Sequence, residues 1–410
     1  MLKLLYSAVI SLILCFFVFG CNQSPSVVDL ANITPFGIVP DPQSGYGSGL
    51  DQLAQPDDVE LLSDGSMVIS DVSNNLIKHF SADGFLLKSV SAKDLGLENK
   101  QMLPTGISKD SSGFIYITLE GAGMIARLNP DLTLDQFIGR KCDITANNYY
   151  KPENDGCLIA PQGIIVADNG DVYVVDMAKE VFKVKNIRNF GFRKFKQVNN
   201  DGAISYAYDL EFANTQEITS VMRKSEGMAI SPDQKTLFLA EEKPQIGQFG
   251  NVSKKRYVGT FNLEDGRFLD RLIGVTMKND SIVSGYFNES VEGICTFGNN
   301  LFVVDEKAGQ FYIFDMRSGK YRGSIGKKAY YYCNYKSDCV IDGINYNEQT
   351  IIAGIAKPHL KNDWRKNELA SPDGISTIVL ADGSSRLAIV DQWNSRILLY
   401  DLDKILKNID

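Results

Sequence analysis

The phrase Pro56-Asp57-Asp58-Val59 returns along the chain as Pro104-Thr105-Gly106-Ile107, Pro161-Gln162-Gly163-Ile164, Ser225-Glu226-Gly227-Met228, Val291-Glu292-Gly293-Ile294 and Pro372-Asp373-Gly374-Ile375. Downstream of each lies a short apolar run that ends in an acid. These runs are MVISD to Asp71, IYITLE to Glu120, VYVVD to Asp176, LFLAEE to Glu241 and Glu242, LFVVDE to Asp305 and Glu306, and LAIVD to Asp391. A third run often follows, as in LIKHF, MIARL, FYIFD and ILLYD. Apolar runs of this length between turn residues read as buried strands. Repeats made of several short strands stack radially or linearly and do not form one ordinary sheet. Six copies predict an all-β fold, a six-bladed β-propeller.

The openings and runs place the blades at 57–90, 105–138, from 162 with an aromatic-rich tail to 222, at 226–273, at 292–325, and from 373 onward. The last blade shows only three strand-like runs before the chain ends. The run Ile33 to Val39 has no partner of its own and is expected to supply the missing outer strand, closing the ring. The final DLDKILKNI reads as a short amphipathic helix. Segments 139–160, 187–222, 242–255 and 327–371 read as insertions that decorate the faces.

Residues 1–20 have the form of an export signal, with Lys3 ahead of an apolar stretch from Leu4 to Phe19 that is short for a membrane span. Residues 21–32 read as a polar tether, and 33–410 as the propeller with its insertion at 327–371. Val18-Phe19-Gly20-Cys21 resembles the lipobox of bacterial lipoproteins. That resemblance implies a mature chain that starts at a lipidated Cys21 and meets the membrane only through its acyl chains. Asn22 in place of Asp favours the outer membrane, facing the periplasm or the cell surface. In such an oxidising compartment the pairs Cys142 with Cys157 and Cys333 with Cys339 are expected to form local disulfides, leaving Cys295 as a buried free thiol. A net charge of −8 argues against a nucleic-acid partner. With only two histidines, His79 and His359, chemistry that needs several is excluded. The chain is expected to be a monomer.

The innermost strand of each blade starts near the axis, so the position after the repeated Pro, Ser or Val is expected to face the channel. In order these are Asp57, Thr105, Gln162, Glu226, Glu292 and Asp373, four carboxylates and two neutral oxygen donors. The strand-terminal acids are expected on the next strand out, toward the opposite end or the rim. Two carboxylates about 5 Å apart repel by roughly 3 kcal/mol at an effective dielectric near 20. Such a cluster takes up protons or a cation, and hard oxygen donors suit Ca²⁺ or Mg²⁺ better than zinc. The alternative for each acid is a hydrogen bond to backbone N–H groups in a turn.

The phrases VISDVSNNLIKHFSADG and LAIVDQWNSRILLYD resemble NHL repeats, a resemblance that speaks to fold more than to function. The last three blades resemble the six-bladed, calcium-dependent β-propeller phytases. The likeness rests on Ser225-Glu226-Gly227-Met228-Ala229, on LFLAEE ending at Glu242, on Val291-Glu292-Gly293, and on Pro372-Asp373-Gly374-Ile375. Lys179-Glu180 resembles a Lys-Glu pair of that family's site. The resemblance implies that Glu226, Glu242, Glu292 and Asp373 hold Ca²⁺, and Asp57 is expected to join them from its place on the axis. It also implies that Lys179 and Glu180 serve catalysis on a phosphate ester. Two other readings stand beside it. One is a propeller that binds a protein or glycan through its loops. The other is a calcium-dependent lactonase or arylesterase resembling the paraoxonase and gluconolactonase kind.

Overall fold

The apolar runs form the second strands of six four-stranded antiparallel blades; the first five are built from an inner to an outer strand in chain order, and the sixth is not. The computed structural model describes residues 30, 32–40, 47–97, 101–142, 156–176, 191–213, 218, 221–222, 224–241, 256–278, 281–287, 290–328, 339–341, 344–346 and 367–409. The repeat openings begin the inner strands Pro56–Leu61, Pro104–Lys109, Pro161–Val166, Ser225–Ile230, Val291–Phe297 and Pro372–Val379. The second strands are apolar on both faces because each face belongs to a different interface. Met67 and Ile69 pack toward the last blade, and Val68 packs toward the second. Six such clusters result, one per pair of neighbouring blades. Each fully buried large aliphatic or aromatic side chain contributes about 1.5–3 kcal/mol. The ring thus stacks local interfaces and does not fill one central core.

The ring closes where the sequence leaves a strand missing. Gly37–Val39 pairs antiparallel with Arg396–Asp401, setting Gly37 opposite Leu399 and Val39 opposite Ile397. The last blade is therefore made from both ends of the chain. The C-terminal helix Leu402–Ile409 buries Leu402 and Ile405 against the interface of the fifth and sixth blades. Its Asp403 accepts a hydrogen bond from the Ser385 N–H at 2.8 Å.

Two expectations need correction. Segment 187–222 is not wholly an insertion: Gly191–Asn200 and Ala203–Tyr208 are the third and fourth strands of the third blade. The polar stretch of the third strand hid it, although Asp201-Gly202, both at positive φ, is the chemistry of a tight two-residue hairpin. The strand-terminal acids are also not at the far end. Antiparallel pairing returns the end of the second strand to the start of the first, so Pro56 faces Asp71, Pro161 faces Asp176 and Pro372 faces Asp391. The end that carries these residues is called the upper end below.

Cys142 and Cys157 stand 5.0 Å apart at Cα with their sulfurs 2.01 Å apart. Cys333 lies outside the described residues, and for Cys339 only the backbone, in Cys339–Ile341, is described. Among the described residues no helix is long and apolar enough to cross a membrane.

Candidate functional site on the axis

Every inner strand carries a bulge directly after its first residue. Its pairing with the second strand skips from Pro56 to Val59, and likewise in the other five blades. A bulge leaves its residues out of the ladder and re-aims them. In five of the six blades it turns the position after Pro, Ser or Val into the channel. The glycine beside it lets neighbouring inner strands meet. A Cβ on Gly106 would stand 2.5 Å from the Gln162 carbonyl oxygen, and one on Gly293 2.3 Å from that of Asp373. The first blade has Asp58 in the glycine's place. Its carboxylate accepts the N–H of Val59 and, across the seam, that of Ile107, both at 2.8 Å.

The result is a cavity of about 250 Å³ lined by all six inner strands, with Asp57, Gln162, Glu226, Glu292 and Asp373 among its walls. Thr105 is buried instead, its hydroxyl 2.8 Å from that of Thr118. Asp57, Glu226 and Asp373, from the first, fourth and sixth blades, share one field. Burial holds the Asp57 carboxyl well above its ordinary range; Glu226, Asp58 and Glu120 raise it further, and Lys224 pulls it back. Asp373 is raised by burial first, then by Asp57, Glu226, Glu306 and Asp58. Both still meet water in the channel. Protein nevertheless walls them closely, and that enclosure sets their proton affinity. Lower in the channel, burial pushes Asp58 up to about 7 against the pull of its two backbone N–H donors. Burial raises Glu60 as well, although Lys109 is bonded to it.

The strand-terminal acids divide into two kinds. Asp71, Asp176 and Asp391 are structural. Asp391 accepts the Ala370 N–H at 2.7 Å and Arg396 Nε at 2.7 Å, and Asp71 accepts the Ala54 N–H at 2.9 Å and pairs with Lys78 at 2.8 Å. Asp176 accepts the N–H groups of Ile159 and Ala160. The next position along, however, reaches the axial residues. Glu120 accepts from Gln162 Nε2 at 3.3 Å, and Gln392 Nε2 donates to Asp373 at 2.8 Å. Glu306 accepts from Ser371 Oγ and pairs with Lys307 at 2.6 Å. This second tier was present in the sequence as the doubled acids and LE endings, but its facing depends on strand register.

Of the carboxylates expected at the axis, Asp57, Glu226 and Asp373 converge. Glu292 lines the same cavity, where Ser290 Oγ donates to it at 2.5 Å, and Glu226 carries Lys224 at 2.7 Å. Lys179, Glu180, Glu242 and Cys21 lie outside the described residues. Among the described residues, no three His, Cys, Asp or Glu side chains already stand at distances that share one metal ion. The axial donors are hard oxygens, carboxylates with the Gln162 amide, which is the chemistry calcium takes. Cys295 is not sealed in the core. It is half-buried on the channel wall, where burial raises its thiol far above the ordinary value.

No protein-family profile matches the chain, and no curated relative aligns with it. Among solved structures, the chain is similar to a gluconolactonase from Xanthomonas campestris at 14% identity and a TM-score of 0.50, over 91% of this chain and 96% of that one. It also aligns with virginiamycin B lyase from Staphylococcus aureus at 14% identity and a TM-score of 0.42, over 85% of this chain and 95% of that one. The first likeness shows the propeller fold and no more than the fold.

Proposed function

We propose that the upper mouth of the channel binds a hard divalent cation, calcium by its donor chemistry, and that the protein hydrolyses a small neutral ester or lactone there. The observation that carries this reading is the convergence of Asp57, Glu226 and Asp373 from three blades on one cavity of about 250 Å³. Carboxylates crowded in an enclosed space must take up protons or a cation. A bound cation would polarise a carbonyl oxygen and acidify water. The chain itself supplies the rest. Gln392 fixes one oxygen of Asp373 and leaves the other to accept a proton from water. The apolar residues after the bulges, from Val59 to Ile375, line the space below and limit solvent.

A neutral substrate fits better than a phosphate ester, whose own charge the described carboxylates repel. The ammonium groups nearby, Lys224 and Lys307, are engaged by Glu226 and Glu306. The similar structure is that of a gluconolactonase, so gluconolactone is the first substrate to try.

The test is turnover of glucono-δ-lactone, phenyl acetate and p-nitrophenyl phosphate by the soluble chain from residue 21, with calcium or with EDTA. Turnover of the lactone or the aryl ester is expected with calcium only. Asp373→Asn and Glu226→Gln should each lower kcat/KM by about 100-fold or more, a loss of about 2.7 kcal/mol in transition-state stabilisation. Calcium at a hundredfold excess over its Kd should stabilise the fold by about 2.7 kcal/mol. An unchanged melting temperature and unchanged activity in EDTA would overturn the cation. Turnover of the phosphate alone would transfer the site to phosphoester chemistry.

A further inference from the structure

At the lower end, away from the axial acids, the second and third blades part to leave a cleft of about 780 Å³. Its size lies within the range of small-molecule sites. The two blades are knitted behind it. Tyr116 and Tyr206 share a hydroxyl–hydroxyl hydrogen bond of 2.7 Å, and Gln136 Nε2 donates to the Ile204 carbonyl at 3.1 Å. Arg127 lines the cleft with its side chain only 6% exposed. Its guanidinium lies 3.5 Å over the Phe114 ring, its Nε donates to Tyr116 Oη at 3.0 Å, and its Nη1 pairs with Asp135. Among the described residues nothing accepts from Nη2. A buried, rigidly held cation thus keeps a donor edge for something that enters the cleft.

The surroundings say what that is. Asp110 is already committed, accepting from the N–H groups of Ser112 and Phe114 and from Tyr116 Oη. Arg127 and Asp135 cancel each other's charge, while Asp168 stands exposed at the mouth. An anion would be repelled by Asp110 and Asp168, and a cation could not accept from the open guanidinium edge. A neutral ligand escapes both penalties. The donor of Arg127 beside the acceptor of Asp135 complements adjacent hydroxyls, each of which gives and takes one hydrogen bond.

We propose that this cleft is a saccharide-binding site that takes a short neutral oligosaccharide, separate from the axial site and independent of its cation. The test is saturation-transfer NMR and calorimetry on the soluble chain with the neutral trisaccharides maltotriose, cellotriose, triacetylchitotriose and xylotriose, and with tri-galacturonate as the acidic probe. At least one neutral trisaccharide is expected to bind with a Kd of about 1 mM or tighter. Ala203→Trp, introduced at an exposed position on the cleft wall, should weaken binding about tenfold or more by filling the space. The same variant should leave the melting temperature and the calcium response unchanged. Arg127→Lys, which removes the planar donor fork, should also weaken binding. Three results would overturn the proposal: no neutral trisaccharide bound at about 10 mM, full binding by Ala203→Trp, or a preference for tri-galacturonate. Binding lost in Asp373→Asn but kept in Ala203→Trp would also overturn it, because the sugar would then sit on the axis.

Discussion

A Cβ placed on Gly163 would stand 1.7 Å from the Glu226 carbonyl oxygen, and one on Gly227 2.0 Å from that of Glu292. Backbone oxygen cannot rotate aside as a side chain can, so the seam itself would have to open. Gly163→Ala is therefore expected to cost about 3 kcal/mol or more, read as a shift in urea midpoint, although alanine is otherwise a mild replacement. A midpoint within error of the parent would refute the seam geometry. Asp58 fills the corresponding place in the first blade and brings a titration with it. Its carboxyl titrates at about 7 in the folded chain against 3.8 in an open one, and Asp57, Asp373 and Glu60 are raised too. Between about pH 4 and 7 the folded chain keeps protons that the unfolded chain has lost, so stability falls as pH rises. Asp64 and Asp315, whose carboxyls are lowered, act with the opposite sign, and their contribution is lost below about pH 4. In EDTA the protein should be less stable at pH 8 than at pH 5 by about 1 kcal/mol or more. Asp58→Asn should flatten that slope, and calcium should offset it at pH 8. Equal stability at the two pH values would show that the axial carboxyls are not crowded.

Among the elements, the strand Gly37–Val39 has consequences beyond its length. Without it Arg396–Asp401 becomes an exposed edge, and the sixth blade loses Val39 from its interface with the first. Deletion through residue 40 should lower the melting temperature by about 10 °C or more and promote association through the open edge. A deleted chain that stays monomeric and melts like the parent would mean that the ring closes by other contacts. This strand was legible in the sequence, because the last blade lacked a partner and Ile33 to Val39 had none. The blades were legible for a related reason, since second strands buried on both faces leave unbroken apolar runs. Asp57, Glu226 and Asp373 could be named because the repeat sets them at one register. The facing of Glu120, Glu306 and Gln392 could not, because it follows from where antiparallel strands turn back. The lower cleft was also hidden. It is assembled from turns of two blades, with Asp110, Arg127 and Asn169 far apart along the chain.

For the molecule as a whole, the lipobox-like ending at Cys21 carries the remaining prediction. Cys21→Ser should abolish palmitate labelling and move the protein from the membrane fraction to the soluble one, with the propeller's melting temperature unchanged. Retention in the membrane fraction without label would remove the lipid anchor from the account. Both chain ends belong to one blade, and this imposes an order of events on synthesis. Each earlier blade can pair its strands as it emerges, but the sixth waits for Arg396–Asp401 to come back to Gly37–Val39. Until then the first and fifth blades each present an apolar face with nothing against it. Completion is held until Arg396–Asp401 has been made, and the unfinished ring is at its stickiest just before it closes.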